Sequence, residues 1–167
     1  MSSYDIINPI AGSQPIADTS ATQLHPLGLI VQASDNASTA YGCGEFVYLK
    51  GLAATVVGSF VTYNADDNST TLLAANAIGP VAVAMSINLA GFFGWYQISG
   101  KVVGKALAGY ADNGLVFATA TAGSIDDAVV AGDRVKLAKG ASAVGTPSSG
   151  LAEFEMQRSF MDDATAA

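Results

Sequence analysis

His25 and Cys43 are the single histidine and single cysteine of the chain, and together they would make a thiolate–imidazole dyad if the fold joined them. His25 stands before Pro26, at the end of a proline-containing stretch, and Cys43 lies between Gly42 and Gly44. A small residue at a tight turn is the ordinary reading of Gly-Cys-Gly. A closed zinc site needs about four Cys, His or carboxylate ligands, which this chain does not bring together in sequence. The phrase "SGKVVGKA" resembles a phosphate loop, which requires glycine, four residues, then Gly-Lys-Ser/Thr. Trp95 and Ser99 occupy the positions where the first glycine would stand, and neither Lys101 nor Lys105 is followed by Ser or Thr. The pairs Asp66-Asp67, Asp126-Asp127 and Asp162-Asp163 lack the alternating ligands, central glycine and distal glutamate of an EF-hand, so they read as solvated turns before calcium ligands. Glu45, Glu153 and Glu155 could supply paired carboxylates for glycoside chemistry, but Glu153 and Glu155 share one strand face of solvent-facing character. No catalytic, cofactor or metal site is expected.

The 167 residues suit one domain; half are apolar and only 13% are charged, against about 25% in ordinary domains. Such a chain has material for a core and is too apolar to be disordered. Its formal charge is −7, with seven basic residues beginning at Lys50. Nucleic-acid binding draws on Lys and Arg at phosphates, so neither nucleic acid nor anionic lipid is an expected partner; a neutral or basic protein surface is. One cysteine makes no internal disulfide. The start, "MSSYDIINPIAG", lacks a basic segment followed by a long apolar run and does not read as a secretory signal.

No charged residue lies between Asp67 and Lys101. A membrane helix is disfavoured there, because Pro80 would break it and the following pattern has period two. Val81, Val83, Met85, Ile87 and Leu89 alternate with smaller or polar residues, as in a half-buried strand. Further strands are expected over 29–33, 44–51, 55–64, 115–123, 134–140 and 152–160, separated by turn signals such as "NADDNST" and "ADNG". In the last, Phe154, Met156 and Phe160 share a face. The pattern predicts an all-β fold, a single β-sandwich or jelly-roll-like barrel over 26–161. Residues 1–25 carry no strand period and read as an extended N-terminal arm; residues 162–167 read as a flexible tail.

The stretch "FFGWYQISGKVVGKA" (92–106) is the densest in aromatics. As a strand it places Phe92, Tyr96, Ile98 and Val102 on a core face, and Phe93, Trp95, Gln97, Ser99, Lys101 and Lys105 on the other. The second face is half aromatic and half polar, which favours a subunit or partner contact, then burial on both faces, then a sugar platform.

From "HPLGLIV" through "GEFVYLKG", "VGSFVTYN" and "AIGPVAVAM" to "FGWYQISG", "TATAGSIDDAVVAGDRV" and "GLAEFEMQRSF", the order of phrases over residues 24–163 resembles head decoration (capsid cement) proteins of tailed bacteriophages. The resemblance implies a non-enzymatic virion protein on the outer surface of the head, assembled in the host cytoplasm. Its partners would be the major capsid protein and itself, as a homotrimer. The interface would draw on Ile6, Ile7, Pro9 and Ile10 of the arm and on Phe93 and Trp95 of the strand. The alternatives are a carbohydrate- or surface-binding β module of a head fibre or tail, and a small hydrolase built on His25 or Glu45.

Overall fold

The structure, a computed structural model, describes residues 4–7 and 12–163. Among them there are twelve strands and no helix: β1 (Tyr4–Ile6), β2 (Thr19–Ser20), β3 (Ile30–Asp35), β4 (Cys43–Lys50), β5 (Phe60–Tyr63), β6 (Thr70–Leu72), β7 (Ile78–Ala84), β8 (Phe93–Lys105), β9 (Leu115–Ala118), β10 (Ile125–Asp126), β11 (Arg134–Gly140) and β12 (Leu151–Asp162). The protein is all-β, as its alternating patterns require. The strands form one antiparallel sheet in the order β1-β3-β4-β8-β7-β12-β11-β9-β10, with β2 on β8 and β5–β6 on β7. The sheet does not close into a barrel, and its coiling gives the layered packing of a β-sandwich.

β8 is the spine. One edge pairs with β4, from Lys50↔Phe93 to Glu45↔Ser99. The other takes β2 at Phe93–Gly94, β7 at Tyr96–Gln97 and β12 from Ser99 to Lys105. Its side chains enter three separate cores. Trp95 packs with Tyr4, Ile16, Val31, Phe46 and Tyr48. Tyr96 and Ile98 pack with Val47, Leu49, Val61 and Ala82. Val102 joins Phe60, Val81, Val83, Phe154 and Met156. Each fully buried large apolar side chain contributes about 1.5–3 kcal/mol, so a strand that feeds three clusters ties them into one cooperative unit.

That arrangement corrects the interface expectation at Trp95. Its side chain is 0% exposed, and its Nε1 donates to the Gln14 carbonyl at 2.9 Å. Phe93 is half-buried and stacks on Tyr48 with centroids 6.4 Å apart. Both faces of the strand are buried at this end. The cover is the N-terminal segment, so a second expectation changes with the first: described residues of 4–25 lie on their own domain. β1 pairs with β3, β2 pairs with β8, and Ile16 is buried at 2% exposure. A segment without strand period still docks when single residues such as Tyr4, Gln14 and Ile16 each find a seat on the sheet. Ile6 packs partly against the Trp95 cluster and Ile7 is exposed. Pro9 and Ile10 lie outside the described residues.

The run after Pro80 is likewise buried on both faces. Val81 and Val83 face one cluster, and Ala82 and Ala84 another. The strand ends at Ala84 because Asn88, fully buried, turns inward to donate from Nδ2 to the Tyr96 hydroxyl at 3.0 Å. Ile87 and Leu89 are thereby left exposed. In β12 the expected alternation breaks at Arg158, whose φ is 49°, opposite an irregularity around Leu137 in β11. Such a bulge shifts the side-chain parity. Ser159 and Met161 point inward, and Phe160 points out.

Candidate interaction groove

Exposed apolar side chains gather where the N-terminal segment meets the turn before β5. Val56, Val57, Gly58 and Ser59 form a tight turn closed by Ser59 N to Val56 O at 3.0 Å. Gly58 sits at φ +83°, a conformation that glycine adopts without strain. Its backbone is clamped on both sides, its N donating to Ala84 O at 2.9 Å and its O accepting from Lys105 N at 2.8 Å. The clamp holds Val57 above β8, facing Ile16 and Ala17 across a cavity of about 270 Å³. Ala84, Met85, Val103 and Leu151 form the floor, and Pro147 and Ser148 the far lip.

A second hollow of about 450 Å³ shares Ala17, Val57 and Met85 with the first and continues to Asp18, Thr19, Ser86 and Ile87. The two make one groove. The bridge Thr55↔Asn88 brings Val56 and Ile87 side by side on its rim, at 39% and 62% exposure. Asp18 marks one end. The cavity is at the small end of ligand pockets, which run about 300–1,000 Å³, and its walls are mostly apolar. Its size matches one or two aliphatic side chains.

The candidate catalytic groups of the sequence are placed elsewhere and apart. His25 is a buried structural residue: its Nε2 accepts from Gln14 N at 3.0 Å, and its ring lies 5.1 Å from Tyr48 and 5.4 Å from Trp95. Cys43 is exposed at the start of β4, five residues and so roughly 16 Å of strand from Tyr48. Glu45 is held by Arg158 through Nε at 2.9 Å and Nη2 at 3.2 Å. Glu155 pairs with Lys139 at 3.5 Å. Among the described residues no three His, Cys, Asp or Glu side chains stand close enough to hold a metal ion. Asp67 caps its own turn through Ser69, whose hydrogen bonds lower its carboxyl.

Glu153 belongs to a small polar cluster. It accepts from the Tyr41 hydroxyl at 3.0 Å and pairs with Lys101 at 2.8 Å, while the Lys101 ammonium lies 5.3 Å from the Tyr41 ring centroid. Burial, then the hydrogen bond to Glu153, then its charge push the Tyr41 hydroxyl up from 10.0 to about 12. The folded state thus favours the neutral phenol. This contribution to stability is complete below the ordinary phenol value and is lost as pH rises through about 12. An absorbance titration of the tyrosines should show Tyr41 ionising late in the wild type and earlier in Glu153→Gln.

Compared with known proteins, the chain matches no family model, no curated protein and no solved structure. The groove was not foreseen from sequence. Its signals were a Val-Val pair directly before Gly58, and apolar residues at Ile87 and Leu89 that continue a period-two pattern past the point where the strand can remain in the sheet.

Proposed function

We propose that this chain is a non-enzymatic structural protein of a virion, a head decoration protein that binds the outer lattice of the major capsid protein and stabilises the head. The observation that carries the reading is the apolar groove between Ile16, Val57, Met85 and Leu151. A groove of this kind supplies the buried anchor site that protein interfaces depend on. The formal charge of −7 fits a capsid surface that is neutral or basic around the docking segment. The candidate catalytic residues are engaged in hydrogen bonds, ion pairs or a turn, in keeping with a binding role. A sugar platform built on Phe93 and Trp95 has no support, because Trp95 is fully buried and Phe93 is half-buried against Tyr48. As a homotrimer the protein would present three grooves, and linked weak contacts multiply into a strong attachment.

The test is co-sedimentation with capsid particles that lack the protein. Val57→Asp and Ile87→Asp place a charge in or beside the groove without disturbing a fully buried site. Each should weaken particle binding by at least about tenfold while leaving the melting of the free protein nearly unchanged. Unaltered binding by both variants contradicts the assignment of the groove.

A further inference from the structure

We infer that protonation of His25 opens the docking groove, making attachment pH-dependent; this rests on the groove being the docking site. Residues 12–18 form one wall of the groove through Ile16 and Ala17. What fastens that wall to the sheet is Gln14, and every polar group of Gln14 is used. Its backbone N donates to His25 Nε2 at 3.0 Å, and its carbonyl accepts from Trp95 Nε1 at 2.9 Å. Its side-chain oxygen accepts from the Tyr48 hydroxyl at 3.0 Å, and its Nε2 donates to Asp18 O at 2.6 Å. Gln14 and His25 are both buried, at 4% and 7% exposure.

The contact to Nε2 exists only while that nitrogen carries no proton, which places the imidazole proton on Nδ1. Protonation sets an N–H against the Gln14 N–H. Two donors then face each other in a buried site, and a charge is confined beside two rings. Attraction between the cation and the Trp95 and Tyr48 faces recovers only part of the lost hydration. The groups that face the ring are Gln14 from the N-terminal segment, Tyr48 from β4 and Trp95 from β8; Gln23 Nε2 holds the His25 carbonyl. Among these Tyr48 is the titratable one, and burial pushes its hydroxyl up, so it brings no negative charge to offset the imidazolium. The Asp18 link is through its backbone carbonyl. Losing the Gln14 N contact removes one of the five hydrogen bonds that hold Gln14, which include Nε2 to the Phe93 carbonyl at 3.3 Å, and so loosens the wall beside Ile16.

The protein carries its own reporters. Trp95 is the single tryptophan and touches both Gln14 and His25; His25 is the single histidine, so His25→Gln removes the imidazole selectively. Free protein is followed from about pH 8 to about pH 5 by Trp95 emission and by amide exchange of residues 12–20, corrected for the intrinsic effect of pH. Exchange of that segment should speed up at least about tenfold, together with a red shift of Trp95 emission. His25→Gln should abolish both changes. No transition in the wild type overturns the inference, as does an emission change without faster exchange, which marks simple quenching. If His25→Gln does not fold, the wild-type titration alone decides. Particle binding is then compared at both pH values in wild type and His25→Gln, which separates His25 from titrating groups of the capsid. A clasp that opens in a protein that binds no particles at any pH contradicts the proposed function alone. Particle binding without a transition contradicts this inference alone.

Discussion

Replacing Trp95 with alanine is expected to lower the stability of the isolated chain by about 3–5 kcal/mol, read as a fall in the urea midpoint with little change in slope. The side chain is fully buried, and it lies 5.0 Å from Tyr48 and 5.4 Å from His25 between ring centroids. Alanine removes the indole from between Tyr4, Phe46 and Tyr48, side chains held by their own strands and hydrogen bonds, and leaves a cavity. It also leaves the Gln14 carbonyl without its donor, a separate loss of about 1–3 kcal/mol for a buried acceptor. Because that carbonyl belongs to the segment that walls the groove, the variant should also lose amide protection in residues 12–20 before it unfolds globally. A tryptophan at a subunit contact would behave differently. Its removal would leave the free chain stable and weaken only assembly, and that result would contradict the packing described above.

The second large effect is expected at Gly104, where β8 passes under two phenyl rings. A Cβ on this residue would stand 2.4 Å from Phe60 Cε2, 2.8 Å from Phe60 Cζ and 3.2 Å from Phe154 Cε2. The two rings meet edge to face at 5.2 Å and are both fully buried, so neither can swing toward solvent. Gly104 does not occupy the left-handed region, and on backbone grounds alanine would be favourable there by about 0.4–1 kcal/mol. Overpacking costs about 1–3 kcal/mol and outweighs that gain, so Gly104→Ala should be destabilised and Gly104→Val more so. Phe60→Leu in the same chain should recover part of the loss, making the double variant more stable than the sum of the two changes implies. Additive effects in urea unfolding would contradict the contact.

Much of the fold was legible because strand alternation reports one buried face directly. The expected spans 44–51 and 134–140 match β4 and β11 to within a residue for that reason, and 55–64 contains the shorter β5. What alternation cannot report is the presence of a second cover. Phe93 and Trp95 read as a partner face because nothing in residues 12–25 has a period; their docking depends on one glutamine and one isoleucine finding sites across the sheet. Parity also fails silently at a bulge. Phe160 matched Phe154 and Met156 in sequence, yet the positive φ of Arg158 turns it outward. Likewise the inward turn of Asn88 ends β7 before the apolar pattern does. The groove arises where these hidden features meet, since Ile16 and Ala17 come from the unpatterned segment and Ile87 from the prematurely ended pattern. His25, read from its place before Pro26 as the end of the N-terminal stretch, is a buried hydrogen-bond acceptor.

Under the proposed function the chain attaches to a capsid through this groove and strengthens it. The most direct measurement is the heat stability of capsid particles lacking the protein, followed after adding wild-type chain or Val57→Asp. Wild-type chain should sediment with the particles and raise their melting temperature, and Val57→Asp should do neither. A folded wild-type chain that leaves both sedimentation and melting of the particles unchanged would contradict the account.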